Sequence, residues 1–301
     1  MNIGILSRGP QLYSTQSLVN ACLYRGHFVQ VIDHAQCSLL IDQGAPALLY
    51  EGRSLRFLDA VIPRIGASVT RQGAAVISQF ETIGVFTTTK SDALLQTRDK
   101  LRCLQKLTTH GLDTPKTAFA GEGQNLVEMI DAIGGFPVVI KLLEGTHGIG
   151  VLLAETFSQA QSIIEMLLQL GERVMIQEFI RESKGSDIRA FVVNGKVVAS
   201  MRRQAKEGEF RSNLHRGGSA DPVELTEEEV FVVTQASKIM GLDIAGVDIL
   251  RSYRGPLIME VNASPGLEGI ENVTGVNVSG SIVQFLESNI AVFEPMRASS
   301  E

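Results

Sequence analysis

Gly246-Val247-Asp248-Ile249-Leu250 and Ile258-Met259-Glu260-Val261-Asn262 are two strongly apolar runs separated by the turn residues Ser252 to Pro256. Such runs flanking turn residues predict a tight hairpin, here centred near Arg254. Pairing about that centre sets Asp248 directly across from Glu260. Side chains two apart in a strand share a face, so Asn262 joins Glu260. Like charges directly opposite in a sheet are destabilising. A hard divalent cation between them removes the repulsion, and two carboxylates with an amide oxygen suit magnesium. The alternative is a shifted register with both carboxylates solvated, but the flanking Ile, Leu, Met and Val argue against a free surface ribbon. Asp248, Glu260 and Asn262 are the candidate metal ligands.

Working outward, the chain from Asp187 to its end reads as an antiparallel sheet with helices. Ile188 to Val193 and Lys196 to Met201 form a hairpin across Asn194-Gly195, the strongest short turn signal available. Thr226 to Met240 is a helix whose Thr226 and Glu229 spell a capping box. The last helix runs near Ser281 to Phe293, and the tail beyond Glu294 frays. The middle of the chain begins with a helical stretch from Asp92 to His110. A strand–loop–strand unit follows, Phe136 to Leu143 and Ile149 to Ala154, then a helix over Gln159 to Leu170 and a strand over Val174 to Ile180. Before residue 90 strands and helices alternate: Ile3 to Leu6, Ser14 to Arg25, His27 to Ile32, Ala60 to Ile62, and Val69 to Phe80. That alternation implies a small parallel α/β unit.

Bulk properties narrow the function. The chain has 301 residues, 44% of them hydrophobic, so a large core is feasible. Net charge is −6 with both signs interspersed, which leaves no basic stripe of the kind direct nucleic-acid binding uses. Cys22, Cys37 and Cys103 have neither metal-ligand nor CxxC spacing and read as reduced thiols of a cytoplasmic protein. The N-terminus lacks a signal peptide's basic and apolar regions, and no apolar run reaches membrane-helix length.

The phosphate-binding candidates lie upstream of the hairpin. Lys141 ends a strand and is followed by Glu144-Gly145-Thr146-His147-Gly148-Ile149-Gly150. Three glycines so close allow backbone N–H groups to turn inward as a nest for phosphate oxygens, and a lysine just upstream adds a point charge. No Walker-type P-loop exists, and the first βα turn, Ser7-Arg8-Gly9-Pro10, lacks the dinucleotide fingerprint. Arg98-Asp99-Lys100 is either a solvated helix face or part of the same apparatus. Lys206 to Gly218 is a basic, glycine-bearing segment that is either a surface loop or a cover for an anionic ligand.

Taken together these segments resemble the ATP-grasp superfamily, and most closely the RimK-type glutamate ligases. The resemblance spans nearly the whole chain. It rests on RDK at Arg98 to Lys100, VVIKLLEGTHGIGV at Val138 to Val151, QEFI at Gln177 to Ile180 and DIR at Asp187 to Arg189. It rests also on RRQAKEGEFRSNLHRGG at Arg202 to Gly218, AGVDIL at Ala245 to Leu250, and MEVNASPGLEGIE at Met259 to Glu271. The implied architecture is a parallel α/β pre-ATP-grasp domain over residues 1–90, then two α+β subdomains over 91–175 and 176–294 that clasp ATP, with a frayed 295–301. His147 and Gln204 depart from what relatives carry, which touches substrate preference and not reaction class.

The resemblance also implies roles. Lys100 and Lys141 hold nucleotide phosphates, beneath a loop that includes Gly145, Thr146, Gly148 and Gly150. Glu178, Phe179 and Ile180 form the adenine hinge, Asp187 binds ribose, and Arg211, Ser212 and Asn213 touch the nucleotide. Asp248, Glu260 and Asn262 bind two Mg2+ (or Mn2+), and Arg203 acts with Lys141 in catalysis by steadying the acyl phosphate. The implied amine is L-glutamate. The implied acceptor is the C-terminal tail of the sixth small-subunit ribosomal protein, or growing poly-α-glutamate, and the implied assembly is a homotetramer. Ligation to an amino-acid carrier protein, a coenzyme or a small amino acid is the alternative within the family. A catalytically dead nucleotide-binding regulator is disfavoured because Asp248, Glu260, Asn262 and Arg203 are all present.

Overall fold

The computed structural model describes residues 1–119, 125–143, 150–212 and 217–297, with side chains through residue 290. The chain opens with β1 (Asn2–Leu6), α1 (Tyr13–Tyr24) and β2 (Phe28–Ile32). Three short strands follow, β3 (Ser38–Leu40), β4 (Ala47–Tyr50) and β5 (Arg53–Ser54), paired antiparallel in a small sheet that periodicity alone does not reveal. Next come β6 (Ala60–Pro63), α2 (Thr70–Thr82) and β7 (Phe86–Thr87). The first sheet has the order β2-β1-β6-β7 and is parallel throughout, as the strand–helix alternation implies.

The expected single helix over Asp92 to His110 is instead two, α3 (Ser91–Arg98) and α4 (Lys100–Thr109). Asp99 causes the break. Its backbone is extended, and its side chain accepts from the Arg102 N–H at 3.1 Å, capping α4. The break sends Arg98 and Lys100 toward different neighbours.

The second sheet is built from β8 (Thr117–Phe119), β9 (Val138–Leu142), β10 (Val151–Ala154) and β11 (Val174–Glu178), ordered β10-β9-β11-β8 and antiparallel. Helices α5 (Leu126–Ala132) and α6 (Phe157–Gln169) cover one face, where Ile130, Val138, Ile140, Ile164 and Ile176 form a core of their own. Strand alternation sends Val139, Lys141, Met175 and Gln177 to the opposite face.

The third sheet comprises β12 (Ser186–Val193), β13 (Lys196–Gln204), β14 (Ser219–Pro222), β15 (Ile244–Ser252) and β16 (Gly255–Asn262), in the order β14-β13-β12-β15-β16. Asn194 and Gly195 join β12 to β13 with φ of 51° and 70°, the left-handed pair a two-residue hairpin turn requires. Helix α7 (Glu227–Ile239) starts with the expected capping box between Thr226 and Glu229. Helices α8 (Glu268–Thr274) and α9 (Val278–Arg297) complete the described residues, and α9 runs past Glu294, beyond which the sequence implies a frayed tail.

Two apolar cores fuse the first and third sheets. One joins Val61, Ile77 and Phe80 to Leu107 of α4 and to Val233, Val247 and Ile258. The other joins Ile3, Ile5 and Leu18 to Phe191, Ile244, Ile282 and Leu286. The three cysteines are free, and burial pushes their thiols up, to about 11 for Cys22 and Cys37 and about 12 for Cys103. Among the described residues no helix is long and apolar enough to cross a membrane.

Candidate active site

The hairpin register is the one the sequence implies near its inner end: Gly246 pairs Asn262 and Asp248 pairs Glu260, with an irregularity after Asp248 that shifts the outer pairs by one. Asp248 also lies opposite Arg189 of β12, and Asp187 opposite Arg203 of β13. One face of the third sheet therefore carries a row of charged side chains across four strands, with opposite signs paired from Arg203 to Asp248 and the like-charged Glu260 at its end. Arg203 donates from Nε and Nη2 to the two oxygens of Asp187 at 2.6 and 2.7 Å, and from Nη2 to Asp248 Oδ2 at 2.9 Å. Arg189 grips Asp248 from the other side at 2.7 and 2.6 Å. Ser212 Oγ donates to Asp187 Oδ2 at 2.6 Å.

These groups are deeply placed. Asp248 is 1% exposed, and Asp187 and Arg203 are each 4% exposed. Burial alone would raise the Asp248 carboxyl, but the charges and hydrogen bonds of Arg189 and Arg203 outweigh it and hold the pKa below the ordinary value. Burial works against the Arg203 charge, and Asp248 and Asp187 more than reverse that, so Arg203 stays ionised throughout the accessible range. Its guanidinium is fixed in direction by these two carboxylates.

Lys141 comes from the inward face of the second sheet. Its Nζ donates to Gln177 Oε1 at 2.6 Å, and Gln177 Nε2 in turn donates to Thr117 Oγ1 at 2.8 Å. Burial draws the Lys141 ammonium down to about 8; Glu260, Asp187 and Asp248 oppose the fall and Lys100 adds to it. Those influences place Lys141 within electrostatic reach of the charged row. Lys100 donates to the carbonyls of Leu142 and Leu143 at 3.0 and 2.9 Å, so α4 is tied to the end of β9. Gly150 has φ of 73°, and a Cβ there would lie 2.4 Å from Leu142 Cδ1, so only glycine fits where the chain re-enters β10.

The candidate hinge residues, Glu178 to Ile180, begin at the last residue of β11. Glu178 Oε1 accepts from the Lys116 N–H at 2.7 Å and from Arg254 Nη2 in the hairpin turn. Phe179 meets Phe210 edge-on with centroids 6.3 Å apart, and Arg211 lies over the Phe210 ring while donating to the Val151 carbonyl at 3.1 Å. Ile180 is buried. A cavity of 240 Å³ beside them is lined by Phe136, Pro137, Leu153, Glu155, Phe179 and Arg181. Gly145, Thr146, Gly148 and Asn213, with His147, His215 and Arg216, lie outside the described residues.

The donor set suits a hard cation. Asp248 and Glu260 face each other in register, Asn262 is two residues further on, and its Nδ2 is buried without a hydrogen-bond partner. Sequence reasoning overlooked Arg189, Gln177 and Arg254. Arg189 had a readable signal, since it is two residues from Asp187 on the same strand face; Gln177 and Arg254 act through pairings that span separate elements.

Comparison with known families fits this geometry. The profile described as RimK PreATP-grasp domain matches residues 1–94, and that described as RimK-like ATP-grasp domain matches residues 97–286. The chain belongs to the RimK-like ATP-grasp family. It is 54% identical over 291 residues, 97% of either chain, to a Vibrio cholerae protein named "Probable alpha-L-glutamate ligase". The structure of ATP-grasp ligase PsnB complexed with minimal precursor, Mg and ADP superposes with a TM-score of 0.75 at 20% identity, covering 96% of this chain and 98% of that one. D-alanine–D-alanine ligase from Bacillus anthracis, complexed with ATP, gives 0.72 at 18%, covering 98% and 99%. At such identities the two structures establish the ATP-grasp fold. The RimK-like chain is an ATP-dependent ligase.

Proposed function

We propose that this protein is an ATP-dependent α-L-glutamate ligase that activates the C-terminal carboxylate of a protein or growing peptide as an acyl phosphate and joins it to the amine of L-glutamate. The observation that carries the reading is the charged row from Arg203 to Glu260 standing within electrostatic reach of Lys141. Its support is a chain that matches, nearly end to end, relatives named as α-L-glutamate ligases.

In this reading Lys100 and Lys141 hold the nucleotide phosphates. Adenine sits against Glu178, Phe179 and Ile180, beside the cavity that Phe179 lines. Asp187 takes the ribose, for which the Ser212 hydroxyl yields its place, and Arg211 stays on the same wall. Asp248, Glu260 and Asn262 hold two magnesium ions, with manganese as a substitute, and bound magnesium supplies shielding of the phosphate charge. Arg203 presents its fixed guanidinium to the negative charge that grows on the acceptor oxygens, first at phosphorylation and then as the amine adds. Its cost of orientation is already met by Asp187 and Asp248. The segment ending at Arg211 and Ser212 closes the site from water, which an acyl phosphate requires.

For the acceptor we favour the tail of the sixth small-subunit ribosomal protein, or oligoglutamate. The PsnB structures, complexed with precursor peptides, support a peptide acceptor in this fold. The test is incubation with ATP, magnesium and glutamate, with and without that ribosomal protein, read by mass spectrometry. A ladder of added glutamates on the tail supports the full reading. Free oligoglutamate alone keeps the ligase and changes the acceptor. Glutamate-independent ADP release, or none at all, overturns it.

A further inference from the structure

The parallel first sheet has its own ligand-binding geometry, apart from the charged row. In the order β2-β1-β6-β7 the chain leaves β1 to one side and reaches β6 on the other, so the connections diverge between β1 and β6. Ligands of open α/β sheets sit outside the carboxyl ends of the strands at such a point. Arg8 stands just past the end of β1, and Arg64 just past the end of β6. Arg98, turned inward by the break at Asp99, joins them through Ile65.

The partners of these three guanidiniums are uncharged. Arg64 Nη2 donates to the Pro265 carbonyl at 2.6 Å, Arg98 Nη2 to the Ile65 carbonyl at 2.7 Å, and Arg8 Nη2 to Ser68 Oγ at 3.3 Å. None of them forms an ion pair among the described residues. Burial draws the Arg64 guanidinium down to about 10, and the Arg98 charge adds to the effect. Glu260 acts on Arg98 only from a distance, and like charges drawn partly out of water without a paired carboxylate are costly unless an anion joins them.

A second observation points the same way. Among the described residues, the buried side-chain atoms without a partner belong to His34, Thr87, Thr88, Arg98, Asn262 and Ser264. His34 follows the end of β2, and Thr87 and Thr88 end and follow β7, so both lie at the carboxyl edge of the same sheet. Ser264 precedes Pro265, which receives Arg64 and packs so closely on Gly246 that a Cβ there would meet it at 2.6 Å. Native interiors leave few polar groups unpaired, and here several of them line the carboxyl end of one sheet from edge to edge. Gly246 pairs Asn262, so this place adjoins the charged row.

We propose that Arg8, Arg64 and Arg98 form the site for the two carboxylates of incoming L-glutamate. This rests on the glutamate-ligase reading above and deepens it. The carboxylate that is activated is consumed by the reaction and belongs beside Arg203 and the phosphates. The two carboxylates of the amino acid persist unchanged into the product, so they need cationic partners away from the reacting atoms. Three guanidiniums that, among the described residues, hydrogen-bond only to uncharged oxygens supply them, and guanidinium forks match carboxylates geometrically.

The experiment measures ADP release by the full chain against glutamate concentration for wild type, Arg8→Gln, Arg64→Gln and Arg98→Gln, with thermal melting as the control for folding. Each variant should raise the KM for glutamate about 10- to 100-fold, the range for losing a charge-assisted contact, while the KM for ATP and acceptor stays within about twofold. The wild-type preference for glutamate over glutamine should shrink in the same variants. Arg8 is exposed and leaves the core untouched, so Arg8→Gln carries the test if Arg64→Gln does not fold. Unchanged glutamate KM in the folded variants, with wild-type dependence intact, overturns the arginine site alone. A rise in acceptor KM instead assigns the carboxylates to the acceptor and also overturns it. A wild type with no dependence on glutamate overturns both this site and the functional reading beneath it.

Discussion

The sheet that carries Lys141 and the sheet that carries Asp248 bury their apolar faces in different company. The second sheet buries one face on α5 and α6, in a core of its own that includes Ile176. The third sheet shares two cores with the first, so 1–112 and 181–290 form one body around it. What joins the two halves is mostly polar: Arg254 to Glu178, Arg211 to the Val151 carbonyl, Lys100 to the Leu142 and Leu143 carbonyls. A small cluster of Leu101, Leu104, Leu143 and Met175 supplies the apolar part. The charged groups of the candidate site are thus divided between one body and a separately stabilised lobe. The lobe can shift Lys141 relative to Asp248 without opening any large core, which is the mechanical requirement for closing over a substrate.

The largest effect should come from the body. Arg203→Ala removes a preorganised cation and leaves Asp187 without its buried partner. Turnover should fall about 10²–10³-fold while ADP affinity changes little; a comparable loss of ADP affinity would move Arg203 from chemistry to binding. Next, Ile176→Ala should cost about 2–5 kcal/mol, felt within the lobe. Hydrogen exchange should quicken in β9 and β11 while β12 and β15 keep their protection; uniform quickening would show that the two halves unfold as one.

Lys141 gives a pH signature. Phosphates prefer its charged form, so ADP affinity should hold below pH 8 and decline as pH rises through about 8, by at most tenfold per unit. Lys141→Arg should abolish that decline, because a guanidinium keeps its proton. An identical decline in both proteins would assign it elsewhere. The smallest effect should follow Arg254→Ala. The pair with Glu178 is partly exposed, so stability should change by less than about 1 kcal/mol. The expected readout is a faster-exchanging hinge at 178–180, and an unchanged hinge would leave the latch with no role.

Much of this was written in local sequence. The 246–262 hairpin, the Asn194-Gly195 turn, the Thr226 cap and the parallel first unit all follow from nearest neighbours and period. The facing of Asp248 and Glu260 was legible because strand alternation and one turn centre define who faces whom. Asp99 was misjudged because leucine periodicity continues across it, and a capping carboxylate breaks a helix without breaking its stripe. The small sheet of β3 to β5 was missed because its strands are short and half-exposed. The charged row was only half legible, since Arg189 meets Asp248 across 59 residues of chain. Arg8 and Arg64 carry no motif, and Arg98 reads only as part of RDK; nothing in the sequence links the three, which are far apart along the chain.

The protonated thiols described above have a practical side. A cysteine whose pKa lies near 11 or 12 offers almost no thiolate at neutral pH, and so stays silent toward maleimides and mild oxidants. Cysteines introduced at Tyr253 and Leu170, which are 94% and 71% exposed, would then be the fast-reacting pair on a natively dark background. One sits on the body's hairpin turn and the other at the end of the lobe's α6. A donor and an acceptor dye on those two positions would turn the native cysteines into spectators and the protein into a ruler for its own closure.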